Sequence, residues 1–324
     1  MRQEYEKEIL QQILDQYEGL GKIESSKLFT SGLENSNQYC KTESGEYVIK
    51  IYEGQGMGRE VIDFEVKAMY ACYQAGTKTP HIYKNKIGSL TTEWKTKSAI
   101  VMDFIDGENG VNLSLSDTTV RQVGEETAKI ANALSIFKDG SLTRQDFEFD
   151  GKNFLQLESK ISHLPDTFDR TIFVDIFDRF RKIQPILDKL PTGLIHNDVA
   201  SQNLLIKNDE LAGVIDFSDM AFSPYIQDLS VAMSQIIFSH NWKPYQAKLF
   251  VQGYKKHHDL SETELDVLYD YTLSRYAIFV IEINYWNVRD GEDAQRTEWV
   301  LEVYGFLKSF LEIGKDDFNK LIKD

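Results

Sequence analysis

Apolar residues recur at helical spacing over residues 4–19, where Tyr5, Ile9, Leu10, Ile13 and Leu14 share a face. The pattern then shortens. Lys27–Thr30, Asn37–Thr42 and Tyr47–Tyr52 each read as a strand, the last two joined by a turn at Ser44-Gly45. From Arg59 to Ala75 helical spacing returns, carried by Val61, Ile62, Val66, Ala68, Met69 and Cys72. Gly76 stands where a left-handed cap would end this helix, and Pro80 blocks its resumption. Two more strands are predicted, near Ile82–Lys86 and at Ser98–Phe104. Past VMDFIDG, residues 101–107, helices are predicted at 118–137, 170–190, 226–238, 244–256 and 262–288. One stretch interrupts them: residues 194–219 hold two apolar runs, Asn203–Ile206 and Gly213–Phe217, among polar loops. A β-rich small lobe over 1–102, a hinge near 101–107 and a helical large lobe over 103–324 make an α+β, two-lobed architecture. No internal repeat or low-complexity segment occurs.

Composition narrows the function classes. The chain has 324 residues, enough for two lobes around a cleft, with an ordinary globular balance of 42% hydrophobic and 27% charged residues. A net charge of −15 argues against nucleic acid and anionic membrane as partners. The same acidity suits a cationic substrate, although it also serves solubility. Cys40 and Cys72 lack a metal or redox spacing, which points to a reducing compartment. The charged, amphipathic start and the lack of an 18-residue apolar run predict a cytoplasmic protein with no membrane span.

The chemistry concentrates in LIHNDVASQNLLIKNDELAGVIDFSDMAFSPYIQDL, residues 194–229. Asp198 and Asn203 lie five apart on a loop, and pairing of the two apolar runs as a hairpin would bring Asp216 back beside them. Phosphoryl transfer needs such a set: a carboxylate for the hydroxyl proton, and oxygen ligands that hold Mg²⁺ against a triphosphate. Any one of these residues alone is more often a turn or cap residue, so the linked spacing carries the argument. On the small-lobe side, Lys50 lies among Val48, Ile49 and Ile51 and requires a phosphate or carboxylate partner if buried. Glu65 and Glu60 in the following helix are the candidate partners.

His196-x-Asp198-x4-Asn203, followed by Ile215-Asp216-Phe217 and Asp228-Leu229, resembles the catalytic and metal loops of the aminoglycoside phosphotransferase and choline kinase superfamily. These are relatives of the protein kinases and share their two-lobed fold. The run GVIDFSDMAFSPYIQDLSVAM is most similar to the hydroxylysine kinase and type II homoserine kinase branch. The resemblance implies an ATP-dependent kinase, GTP being an alternative donor, that phosphorylates a hydroxyl of a small molecule. It assigns Asp198 as catalytic base, and Asn203 and Asp216 as Mg²⁺ ligands. His196 would brace the loop rather than act as the base, and Asp228 would anchor its backbone from behind. Ala200 replaces the lysine of serine-phosphorylating protein kinases, and Ser201 would donate a hydrogen bond there instead. Lys50 and Glu65 would orient the α- and β-phosphates. Gly32, Ser36 and Asn37, with Ser31, would form the phosphate-covering loop despite the absence of GxGxxG. Met102 and Phe104, within Met102–Ile105, would meet the nucleotide base through the backbone. The helix VGEETAKIANALSIF carries Ala131 and Asn132 where the superfamily usually has a histidine, a packing variation.

For the acceptor, Tyr271, Arg275, Glu282, Trp286 and Arg289 share a stripe of a long helix. Arg275 gripping a carboxylate and Glu282 receiving an ammonium beside Trp286 would suit an amino-acid alcohol, hydroxylysine- or homoserine-like. A lobe-bracing salt bridge is the competing reading. Two other functions compete: phosphorylation of aminoglycoside-type antibiotics, and nucleotide binding without turnover in a regulatory module.

Overall fold

A computed structural model describes residues 2–29, 35–53, 58–144, 147–237 and 243–323. The chain divides into two compact units, one of residues 1–108 with 212–218, the other of 109–211 with 219–324. Asp216 therefore belongs to the same unit as Lys50 and Glu65.

The first unit is a sheet with two helices. In chain order its elements are α1 (Lys7–Leu14), β1 (Ile23–Leu28), β2 (Ser36–Thr42), β3 (Glu46–Ile51), α2 (Arg59–Gln74), β4 (Thr92–Trp94) and β5 (Lys97–Asp103). The strands form an antiparallel sheet of order β1-β2-β3-β5-β4. A central position buries both faces of β3, and Tyr47 through Ile51 are buried in succession. Leu10, Ile13, Leu14, Ile49 and Val101 are among the core residues that pack α1 on this sheet. α2 ends as its sequence predicts, with Gly76 at φ +79°.

Two expectations change here. The first helix is shorter than its periodicity suggests, because the Tyr5 N–H and carbonyl bond the Gln38 side chain and hold residues before Glu6 extended. Ile82–Lys86 forms only an isolated bridge, Ile82 to Met102. Its continuation is turned by Asn85, whose Oδ1 accepts from the N–H groups of Ile87 and Ser89.

The second unit is mainly helical. The elements from here on are β6 (Glu108–Asn109), α3 (Asp117–Leu134), α4 (Arg170–Leu187), β7 (Thr192–Ile195), β8 (Leu204–Lys207), β9 (Glu210–Val214), β10 (Ala221–Pro224), α5 (Ile226–Ala232), α6 (Gln246–Lys255), α7 (Glu262–Asp290), α8 (Ala294–Ile313) and α9 (Lys315–Lys323), of which Glu108 and residues 212–214 fall in the first unit. A 3₁₀ segment at Gly151–His163 and a π-turn at Met233–Ile237 add to them. α7 begins with a capping box, in which Ser261 and Glu264 satisfy each other's backbone N–H groups. β8 and β9 neighbour each other in a small sheet with β6, and β7 pairs with β10. β9 stops at Val214, short of the predicted Phe217, because Asp216 takes φ +65° and ends the extended run. α8 and α9 were not predicted. In α8 the exposed Trp299 and Leu301 flank the buried Val300, Tyr304 and Leu307, which blurs its apolar stripe.

Candidate active site

In the first unit, Lys50 on β3 meets Glu65 on α2 at 2.9 Å, both side chains only 4% exposed. Glu65 also accepts from the Tyr52 hydroxyl at 2.8 Å, and Lys50 Nζ lies 3.6 Å from Asp216 Oδ1. Burial alone pulls the lysine's pKa down, but Glu65, Tyr52 and Asp216 outweigh it and hold the ammonium well above its ordinary value. The cluster is thus a fixed cation that faces the partly exposed carboxylate of Asp216. Asn37 sits directly across from Lys50 in the β2–β3 register, so the two side chains share one face of the sheet.

The other residues expected at the nucleotide have these surroundings. Ser36 is fully buried and gives its hydroxyl to Glu53, which also holds Lys97 and Tyr5. Met102 pairs with Val48 in the sheet. Phe104 follows the end of β5, its ring stacked on Phe29 and edge-on to Tyr39. Gly32 and Ser31 lie outside the described residues.

In the second unit, the loop after β7 carries His196, Asn197 and Asp198. Asn203 Nδ2 donates to the Asp198 carbonyl at 3.0 Å and to Asp198 Oδ2 at 2.6 Å. This fixes one carboxylate oxygen of Asp198 and turns the Asn203 carbonyl oxygen to other use. His196 is buried, and its Nδ1 accepts the Asp198 N–H at 3.2 Å. Asp228 on α5 accepts the N–H of Asn197 at 2.7 Å and of His196 at 3.3 Å, so a buried carboxylate grips the loop backbone. Ser201 gives its hydroxyl to the Gln235 carbonyl at 2.9 Å. Two residues of the motif hold left-handed backbone, Asn197 at φ +63° and Asp216 at φ +65°. Asparagine and aspartate tolerate this conformation better than other residues with a Cβ, and such backbone gathers at functional loops.

Burial pushes the Asp228 carboxyl up to about 7, against the two N–H donors and Arg275. A carboxyl that binds its proton more tightly when folded contributes stability fully below its unfolded value of 3.8, and loses it as pH rises through about 7. That window is worth on the order of 4 kcal/mol. Between pH 5 and 8, urea unfolding should therefore show wild type losing stability relative to Asp228→Asn. Parallel pH curves would remove Asp228 as the titrating group.

The helix stripe is partly engaged within the chain. Glu282 is buried and both its oxygens accept from Lys160 Nζ, at 2.7 and 2.8 Å, so the ammonium it meets is this chain's own. Trp286 packs edge-on to Phe149, whose carbonyl accepts from Arg275 Nη1. Arg289 pairs with Asp290 at the exposed end of the helix. Arg275 is 5% exposed, and its Nε has no hydrogen-bond partner among the described residues. Desolvation lowers its pKa, with Asp198 the largest opposing charge. The residues that sequence reasoning missed are Asn197, Gln227, Tyr271 as a hydrogen-bond donor, and Asp150. These buried polar groups carry no spacing signal.

The two residues that the motif resemblance names as metal ligands, Asn203 in the second unit and Asp216 in the first, each offer a hard oxygen donor of the kind Mg²⁺ takes. Among the described residues no group of three or more His, Cys, Asp or Glu could hold a metal. A cation at these residues would thus rely on phosphate and water oxygens, the usual habit of Mg²⁺. Nor is any helix of the described residues long and apolar enough to cross a membrane.

Residues 25–265 match the phosphotransferase enzyme family known as APH. Sequence relatives include the homoserine kinase of Zymomonas mobilis subsp. mobilis, 26% identical over 263 residues and covering 78% of each chain. The homoserine kinase of Methylobacillus flagellatus is 27% identical over 239 residues, covering 70% of this chain and 68% of its own. Similar solved structures include a microcompartment-associated aminopropanol kinase, with TM-score 0.73, 16% identity, and coverage of 98% of this chain and 100% of that one. An amicoumacin kinase in complex with AMP-PNP, Ca²⁺ and Ami has TM-score 0.71 and 17% identity, covering 98% and 97%. The protein-kinase-like fold and the homoserine kinase likeness agree with the motif resemblance, and the chain belongs to the APH phosphotransferase family as a small-molecule kinase.

Proposed function

We propose that the enzyme transfers the γ-phosphoryl group of ATP to the hydroxyl of an amino-acid alcohol, homoserine being the first candidate. The observation that carries the acceptor class is Arg275. A buried guanidinium with an unsatisfied Nε, in the electrostatic reach of Asp198, suits a carboxylate ligand. The homoserine kinase relatives support the same choice.

In this reading Asp198 takes the acceptor's proton as its oxygen attacks the γ-phosphorus. The bond from that phosphorus to the bridging oxygen breaks, and ADP leaves. Asn203 keeps Asp198 Oδ2 fixed, which orients the carboxylate for the hydroxyl. Lys50, held by Glu65, meets the α- and β-phosphates. By the motif resemblance, Asn203 and Asp216 would hold Mg²⁺, which would supply charge to offset that on the phosphates. Asn37, on the Lys50 face, and the backbone near Met102 and Phe104 serve the nucleotide.

Arg275→Met should raise the homoserine KM about 30-fold or more while the ATP KM stays within about threefold. Steady-state kinetics on homoserine, hydroxylysine, 1-amino-2-propanol and an aminoglycoside panel tests this, because aminopropanol lacks the carboxylate. An unchanged homoserine KM, or faster turnover of the antibiotics, would overturn the acceptor assignment.

A further inference from the structure

We propose that Gln227 is a positioning residue for the base loop, acting on Asp198 through the side chain of Asn197. The inference rests on the reading of Asp198 as the base.

Asn197 precedes Asp198 and is buried with left-handed backbone, a conformation that needs holding. Three bonds hold it. Its N–H reaches Asp228, its Nδ2 donates to the Asp219 carbonyl at 3.0 Å, and its Oδ1 accepts from Gln227 Nε2 at 2.6 Å. Gln227 is 0% exposed, and its amide is fully engaged. Nε2 also donates to Asp150 Oδ1 at 3.1 Å, while Oε1 accepts from the Tyr271 hydroxyl.

The direction of this chain is determined. Asp150 accepts from Ser223 and from the Lys152 N–H, and it pairs with Lys152 Nζ at 3.0 Å. It therefore demands the nitrogen side of Gln227, which puts Oε1 toward the Tyr271 hydroxyl. Asn197 must then present its oxygen to Gln227 and its amide nitrogen to Asp219. Only one orientation of both amides satisfies every partner.

Two neighbours in α5 thus grip one loop by different routes, Asp228 on its backbone and Gln227 on its side chain. Packing has been kept clear for this chain. A Cβ on Gly151 would lie 2.8 Å from the Tyr271 hydroxyl oxygen and 2.9 Å from Gln227 Oε1. Releasing Asn197 would let the loop leave its left-handed backbone and move the Asp198 carboxylate, and displacements near 1 Å cost about 100-fold in rate.

The test uses the full-length enzyme. Gln227→Met keeps length and volume but removes the donors. It should lower kcat about 10- to 100-fold and leave both KM values within about threefold. Asn197→Gly, which tolerates the positive φ but loses the side-chain bonds, should show the same split. Their combination should be no slower than the slower single variant, because both act through one link. If Gln227→Met proves unstable, Tyr271→Phe removes only the hydroxyl that orients Gln227, and a three- to tenfold fall in kcat is expected. Asp198→Asn is measured alongside. Loss of activity there, with kcat for Gln227→Met within twofold of wild type or with multiplicative losses in the double variant, overturns the positioning role alone. Full activity in Asp198→Asn overturns the base assignment and this inference together.

Discussion

Asp198→Asn is expected to lower kcat about 10³- to 10⁴-fold with the nucleotide Kd within about threefold of wild type. The substitution is close to isosteric, and the surrounding bonds predict how it will sit. Asn203 Nδ2 demands an acceptor and would take the new amide's oxygen, as it now takes Oδ2. The amide nitrogen would then occupy the Oδ1 position, where it donates rather than accepts. His196 and Asp228 hold the loop through backbone N–H groups, which the change leaves in place. The loss should therefore appear in turnover rather than in folding or nucleotide affinity. Isothermal titration with a non-hydrolysable ATP analogue, beside steady-state kinetics, separates the two. A kcat within tenfold of wild type would count against Asp198 as base.

The second large effect is expected at Asp216. Asparagine rather than alanine is the informative replacement, because φ +65° suits asparagine and strains alanine by about 1 kcal/mol. Lys50 keeps Glu65 at 2.9 Å, so its buried charge stays paired and the melting temperature should move by only a few degrees. If Asp216 is the proposed metal ligand, the substitution removes its carboxylate from the metal. Nucleotide affinity in Asp216→Asn should thus no longer respond to Mg²⁺, and kcat should fall about 10³-fold or more. Titrating Mg²⁺ at fixed nucleotide measures this, and a wild-type Mg²⁺ response would exclude Asp216 as a ligand.

What the sequence revealed, and what it hid, follows from the range of the interactions. The apolar run around Lys50 and the cap at Gly76 are local, and both are readable. Burying Lys50 creates a demand for a carboxylate, and the family resemblance selects Glu65 over Glu60 to meet it. Sheet pairing beyond neighbours was harder. Ile82–Lys86 has strand composition, but Asn85 uses its side chain to close a turn. The α7 stripe showed which residues share a face without showing what lies opposite, and Lys160 on a distant 3₁₀ segment is what faces Glu282. The chain from Tyr271 through Gln227 to Asn197 was invisible for the same reason. Its members are single polar residues brought together by packing, with no period or spacing to mark them. Positive φ at Asn197 and Asp216 likewise belongs to tertiary context, since most asparagines and aspartates adopt ordinary backbone.

The most direct measurement is ³¹P NMR of the purified wild-type protein incubated with Mg²⁺, ATP and homoserine. A new phosphate monoester signal that grows in step with ADP, and is absent without homoserine, is the predicted result. ADP and inorganic phosphate without an ester, or no nucleotide turnover with homoserine or any other hydroxyl-bearing candidate, would contradict the account.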